Sequence, residues 1–360
     1  MSNEHQKGEV RKIQFSGKSS YMLALPKKWV EEMGLAAGDS VSVEKQGDSS
    51  LIITPLAGKI FTSKSEALIE VSPKLRTDSI VRRLIAVYLL GYNTLQIRAR
   101  EGPLTASQRD SVKEATRRHL IGTEVIADSR DGISLQVLLS YPELSVKNVL
   151  KRMFLIAESM HRDAVRALVK MDKDTAVAVT KSDDEVDRFS LYAIRQLNMA
   201  AQNDFILREI ELNSRRDCLD YRLIVKAVER VADHSSKIAE GVLQIDREVN
   251  QSLLDEIQRM SEYAIGLFEQ AGLALFKGDY ESADAVVDQA KDVAPMQEEL
   301  LKLIERTKDI EPDQALPLVV EDLRRTAEYA ADVAEVVINM TTEASVQHSE
   351  TSESQMVKTN

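Results

Sequence analysis

At 360 residues, 43% hydrophobic and 29% charged, the chain has ordinary composition and is too long for one small core, so two or three domains are expected. No apolar run approaches the roughly 18 residues of a spanning helix and the first residues lack a secretory core, so a cytoplasmic protein is expected. The single cysteine, Cys218, excludes an internal disulfide framework and cysteine-based zinc sites. The net charge of −11 is uneven: residues 142–360 carry 27 Lys/Arg against 42 Asp/Glu, whereas residues 1–60 carry 8 against 7. The C-terminal part should therefore repel nucleic acid, while the N-terminal part need not.

In chain order, residues 1–8 are polar and expected to be mobile. Glu9-Val-Arg-Lys-Ile-Gln-Phe alternates like a strand and turns at Ser16-Gly-Lys-Ser-Ser into the apolar strand Tyr21-Met-Leu-Ala-Leu. Pro26 suits a helix first turn, and Gly34 closes a helix of about two turns. Gly38-Asp39 opens a hairpin of strands Ser40–Lys45 and Leu51–Thr54 around Gln46-Gly-Asp48. The order is β-β-α-β-β. Its basic first strand, Leu25-Pro26-Lys27-Lys28, Met33-Gly34-Leu35 and Gly38-Asp39-Ser-Val-Ser-Val resemble the swapped-hairpin domain of the SpoVT/AbrB family. That resemblance, over residues 9–56, implies a homodimer of interlaced chains that grips DNA with basic residues. Arg11, Lys12, Lys18, Lys27 and Lys28 are then the candidate phosphate contacts; the plainer reading of each is a solvated surface charge. Dimerisation also has a physical motive, because four short strands and a two-turn helix bury too little alone.

From residue 60 to 141 the pattern becomes a small α/β module of β-α-β-α-β-β order. Ala67–Val71 and Thr94–Ala99 are strands, Ser79–Gly91 and Ser107–His119 are helices, and Thr123–Ala127 with Gly132–Leu139 forms a hairpin. Arg82, Arg83, Arg98, Arg100, Arg109, Arg117 and Arg118 make it mildly basic, which reads first as a solvated or interface surface. After Tyr141-Pro142 the strand signal stops. Helices are expected at 145–170, 174–211, 217–245, 251–276, 279–308 and 317–340, as two sets of three with domain limits 142–245 and 246–340. Ala164–Lys170 parallels Ala271–Lys277, each followed by an Asp-rich corner, so the sets repeat. Residues 341–360, rich in Ser, Thr and Glu, are expected to be disordered.

Each set carries carboxylates four residues apart, which share one side of a helix and repel slightly. Asp183 and Asp187, then Glu229, Asp233 and Glu240, mark the first; Asp284, Asp288 and Asp292, then Glu328 and Asp332, mark the second. A solvated acidic face would explain any single ladder; several at matching places favour a cation. An all-oxygen site suits Mg, Mn or iron as divalent or trivalent ions. A di-iron bundle would need Glu-x-x-His elements, which are missing. His234 points away from Asp233 and is expected at the surface or behind the carboxylates, and His119 and His161 are expected to be structural.

Asp183-Asp-Glu-Val-Asp187 on one helix and Glu229-Arg-Val-Ala-Asp-His234 on the next resemble the PhoU family, regulators of phosphate uptake and signalling. The resemblance implies metal sites formed by Asp183, Asp187, Glu229 and Asp233 in the first bundle and by Glu328 and Asp332 with two of Asp284, Asp288 and Asp292 in the second, the best register giving Asp288 and Asp292. In the second, Val333 stands where the first has His234, and Asn339 where it has Glu240, a departure from the pattern. An AbrB-like head on a PhoU-like body resembles archaeal phosphate-uptake regulators. The expected fold is therefore multidomain α+β: a swapped-hairpin β head, a small α/β middle module and all-α tandem three-helix bundles. No nucleophile with a base, phosphate-cradling glycine loop or zinc motif points to an enzyme. The expected function is a phosphate-responsive transcription regulator that binds DNA as a dimer and senses metal or a partner through its helices. The alternatives are an adaptor docking on a phosphate transporter or kinase, and a carboxylate-bridged metalloenzyme.

Overall fold

The computed structural model of the protein describes residues 9–17, 20–46, 50–55, 66–138, 144–246, 248–306 and 315–345, in two compact units divided between residues 63 and 64. In the first unit, β1 (Ile13–Ser16) pairs antiparallel with β2 (Ser20–Leu23), and β3 (Val41–Gln46) with β4 (Ser50–Pro55), giving two separate two-stranded sheets. Between them lies α1 (Lys27–Glu32), entered at Pro26 and followed by Gly34 in the left-handed region at φ +66°. The strand expected from Glu9 starts only at Ile13, because Ile13 is opposite Leu23, the last residue of β2. Lys18 and the expected turn residues Gly47 and Asp48 lie outside the described residues.

This unit makes almost no core of its own. Within the chain Ile13 is 66% exposed, Phe15 62%, Tyr21 68% and Leu51 64%, and no residue of α1 is buried. Phe15 and Tyr21 meet edge-on across the β1–β2 hairpin at 5.2 Å. Such hairpins are marginal alone in water.

The second unit begins with the expected module. Strands β5 (Glu66–Val71), β6 (Thr94–Ala99), β7 (Thr123–Asp128) and β8 (Gly132–Val137) form one sheet in the order β5-β6-β8-β7, with β5 parallel to β6 and the other pairs antiparallel. Helices α2 (Thr77–Leu89) and α3 (Ala106–His119) bury Ile80, Leu84, Tyr88 and Val112 with Ile69, Val71, Leu95, Ile97, Ile133 and Leu135. Alternation along each strand puts Leu68, Gln96, Arg98 and Ser134 on the opposite, open face.

Two sets of long helices follow and share one hydrophobic core. The first is α4 (Val146–Lys170), α5 (Lys173–Ala200) and α7 (Arg215–Gln244), with a short α6 (Asp204–Glu209) between the last two. The second is α8 (Gln251–Lys277), α9 (Tyr280–Ala290), α10 (Val293–Arg306) and α11 (Ala315–Ser345). The repeat read from the sequence is structural: α4 closes through Met171 at φ +53° and α8 through Gly278 at φ +65°, and the next residues, Asp172 and Asp279, cap the helices that follow.

Three helix boundaries differ from expectation by more than two residues. Helix 174–211 divides where Asn203, its backbone extended, caps α6 by accepting from Phe205 N at 2.9 Å. Helix 279–308 divides at Lys291–Asp292, because Pro295 has no N–H for the carbonyl of Lys291 and its ring crowds that oxygen; the proline falls instead in the first turn of α10, where no such donor is needed. Residues 341–345, expected to begin a disordered tail, instead extend α11, where Thr341 and Thr342 hydroxyls bond back to Val337 and Ile338 carbonyls at 2.8 and 2.6 Å. The remainder of that tail lies outside the described residues.

The module also proves continuous with the helical body, with α5 as its seat. Arg195, 2% exposed, donates to the Tyr88 carbonyl and to Asn93 Oδ1 at 3.0 Å, and its guanidinium lies 4.7 Å from the centre of the Tyr88 ring. Asn198 Nδ2 donates to Leu89 O at 2.9 Å, and Arg118 at the end of α3 donates twice to Asp184 Oδ1, at 2.9 and 2.7 Å. Gly91 sits at φ +92°, where an added Cβ would lie 2.6 Å from Met199 Cγ. A Gly91→Ala substitution is therefore expected to cost about 2–3 kcal/mol, the sum of left-handed strain and overpacking. Urea unfolding measures it, and a loss under about 0.5 kcal/mol would mean that Met199 yields freely.

Candidate functional site

α5 and α7 pack along most of their length, which brings the two acidic ladders of the first bundle face to face. Asp183, Asp187 and Asp233 are half-buried, and each is made harder to ionise first by that burial and then by its neighbours. The Asp183 carboxyl is pushed up to about 7, with Asp233 the leading charge against it, and Asp187 to about 6, with Glu229 leading. Asp233 is raised in the same way by burial and by Glu229. The two ladders read from the sequence thus lie on neighbouring helices and confront one another.

Two residues not singled out in the sequence complete the site. Ser190 Oγ donates to Glu229 Oε2 at 2.9 Å, and Lys226 Nζ bonds the same oxygen. Their spacing was a signal: Ser190 lies three residues beyond Asp187, and Lys226 three before Glu229, so both share the acidic faces. Lys226 partly offsets the crowding, pulling Asp187 and Asp233 back down. Glu240, further along α7, is exposed.

The donor chemistry fits a hard cation. All four ladder groups are carboxylates, and Asp183 Oδ1 is buried with no hydrogen-bond partner. The arrangement is nonetheless open: among the described residues no three His, Cys, Asp or Glu side chains converge closely enough to hold a metal ion. A bound ion would have to draw the four side chains inward.

The second bundle does not assemble an equivalent site. Glu328 is engaged by Arg324 and, at 3.0 Å, by Arg325; Asp288 pairs with Lys291 at 2.7 Å; Asp292 accepts from Tyr263 Oη at 3.1 Å. Asp332 is raised by burial, then by Glu335, with Glu328 a lesser influence. The cause is register. Counting from the caps Asp172 and Asp279, the positions that hold Asp183 and Asp187 in α5 fall on Ala290 and Ala294, and Asp292 lies in the break after α9.

Two histidines, His234 and His161, are structural in a specific way. His234 donates from Nδ1 to Asp322 Oδ1 at 2.6 Å and packs on Tyr329, so it joins α7 to α11 rather than lying at the surface. His161, fully buried, lies 2.9 Å from Ser261 Oγ and 3.4 Å from Thr326 Oγ1, and burial pushes its pKa down to about 4, keeping it neutral. In the first unit, Arg11 pairs with Glu9 at 2.7 Å, Lys27 with Glu31 at 3.5 Å and Lys28 with Glu32 at 3.8 Å, all exposed. Lys12 is exposed as well. No helix among the described residues is long and apolar enough to cross a membrane.

A family model described as "PhoU domain" matches residues 150–242 and 257–337, and one described as "Antidote-toxin recognition MazE, bacterial antitoxin" matches residues 14–61. The chain is 24% identical over 205 residues to the phosphate-specific transport system accessory protein PhoU homolog of Synechocystis sp., spanning 55% of this chain and 90% of that relative. It is 26% identical over 207 residues to PhoU homolog 1 of Thermotoga maritima, spanning 54% and 84% respectively. Among solved structures, the phosphate transport system regulatory protein PhoU from Streptococcus pneumoniae aligns at 19% identity with a TM-score of 0.48, over 56% of this chain and 96% of that one.

Proposed function

The chain is a fusion of a MazE/AbrB-type antitoxin domain with a PhoU domain, and from that premise we propose that it is a cytoplasmic, non-enzymatic, phosphate-responsive transcription regulator of phosphate uptake. The head pairs with a second copy and holds DNA; the helical body reads a cation or a partner protein of the phosphate-transport system. The observation that supports the paired head is its bare apolar side chains, found on both of its two-stranded sheets. Ile13, Phe15, Tyr21 and Leu51 are exposed within one chain and need a second chain to cover them. The dimer then presents Arg11, Lys12, Lys18, Lys27 and Lys28 twice over.

In the body, Asp183, Asp187, Glu229 and Asp233 are the residues proposed to take Mg, Mn or iron. A bound cation would neutralise the crowded carboxylates and leave Glu229 less dependent on Lys226. Asp288, Asp292, Glu328 and Asp332 are not proposed as a second centre, since arginines, a lysine and a tyrosine already engage three of them.

A second reading, an adaptor whose head only dimerises, is favoured by the pairing of Arg11, Lys27 and Lys28 with their own glutamates. Fluorescence anisotropy on promoter DNA across a salt series separates the two. For a regulator, log affinity falls linearly with log salt, and each of Lys12→Ala, Lys27→Ala and Lys28→Ala, present twice in the dimer, lowers the slope by about two. Absence of binding at low salt would leave the adaptor.

A further inference from the structure

The module's sheet has two edges, and they are built differently. At one edge, β7 is interrupted by a bulge between Val125 and Ala127, which twists the strand away from further pairing. At the other, β5 runs Glu66-Ala-Leu-Ile-Glu-Val71 without bulge, proline or lysine and pairs only with β6. Its outer side meets no other strand among the described residues. Leu68 is 50% exposed there, and a groove of about 780 Å³ lies between β5 and α2, lined by Leu75, Arg83, Ala86 and Val87. Apart from the charges of Glu66 and Glu70, β5 lacks the devices that ordinarily blunt an edge.

We propose that β5 pairs antiparallel with β5 of a second copy about a two-fold axis at Ile69, joining two four-stranded sheets into one. The register follows from parity and charge. Directly opposed residues must point to the same face, so each residue can only face one of like position in the alternation. Centring on Leu68 sets Glu66 against Glu70, and centring on Glu70 sets that glutamate against itself; like charges so placed repel. Centring on Ile69 sets Leu68 against Glu70 and Ala67 against Val71, with no like charges opposed and nearly the whole strand paired. The exposed Ala86 of α2 is small enough to let the two α2 helices approach over the extended sheet.

The occupant is a second copy because the head, as proposed above, already brings two chains together. Ten residues, 56–65, separate β4 from β5. Head pairing thus holds two β5 strands on short tethers and raises their effective concentration. To that extent the inference rests on the head reading, and its test keeps the two apart.

Full-length Leu68→Cys and Glu70→Cys chains with tags of different mass are co-expressed and oxidised. Cys218 is buried and unchanged in every arm. Opposed residues bring their Cβ atoms within about 5.5 Å, close to disulfide reach, whereas like residues are diagonal. The mixed pair is therefore expected to cross-link about ten-fold faster than either like pair. In the unaltered protein, the outward amides of β5 are expected to exchange as slowly as its inward ones. A dimer by light scattering with no mixed cross-link overturns β5 pairing and leaves head pairing standing. A mixed cross-link in a chain whose head variants no longer pair supports β5 pairing alone. Protected β5 amides without a cross-link would assign the edge to a foreign strand and overturn the proposal.

Discussion

Raising the pH from about 5 to about 8 in the presence of a chelator is expected to lower the melting temperature, and Asp183→Asn to remove the part of that dependence that Asp183 contributes. The sign follows from the direction of the shifts. Asp183 and Asp187 hold their protons more tightly in the fold than in the unfolded chain, where the ordinary value of 3.8 applies. The stabilisation is complete below that value and is lost as pH rises through about 6 for Asp187 and about 7 for Asp183. Because these groups are partly solvated and share their repulsion, the loss is discounted to about 1–2 kcal/mol. The amide introduced by Asp183→Asn carries no charge to repel Asp187, Glu229 and Asp233, so at about pH 8 the variant is the more stable protein. Adding Mn²⁺ or Mg²⁺ at that pH should restore the parent by about 2.7 kcal/mol at a hundred times its dissociation constant, and the variant by much less. A pH profile identical in parent and variant would refute the crowding of these carboxylates.

The second large effect is expected at Arg195. Arg195→Met keeps the aliphatic stem but takes the charged donor from Asn93 Oδ1 and from the Tyr88 carbonyl, which keeps the Gly91 backbone N–H at 3.0 Å, and removes the stacked cation from the Tyr88 ring. The cost is about 3 kcal/mol, the range for losing one partner of a buried, charge-assisted network. The loss should be local in origin. Amides of α2 and β6 would exchange faster in the variant, while those of α8 and α11 would keep their protection until global unfolding. A midpoint shift worth less than about 1 kcal/mol would mean that Leu191, which packs from α5 against the module's core, and Met199, rather than Arg195, hold the module on α5.

The helices and their faces could be read from the sequence because periodicity and capping residues act locally. Asp172, Ser214, Asn250 and Asp279 cap where a capping residue was available before an apolar period. The module's β-α-β-α-β-β order was legible for the same reason. Pairings between distant segments were not. Nothing local to His234 indicates Asp322, and nothing in the Arg-rich α3 distinguishes Arg118, which binds Asp184, from its neighbours. The dispersal of the second acidic set was not legible either, because ladder spacing alone carries no register: Asp288 and Asp292 are four apart, yet α9 ends between them, ahead of Pro295. The dependence of the head on another chain was inferable from its size, and the exposed Phe15 and Tyr21 give it a physical form.

One helix, α5, carries Asp183 and Asp187 near its middle and Arg195, Asn198 and Met199 at its end. Since an α-helix turns about 100° and rises about 1.5 Å per residue, inserting or deleting one residue between Asp187 and Arg195 would swing the module's seat a quarter-turn away from its partners. This stretch can drift in identity but not in length. Insertions and deletions among relatives that keep the module should therefore collect in the corners, around residues 171–172 and 201–203, and spare the shaft.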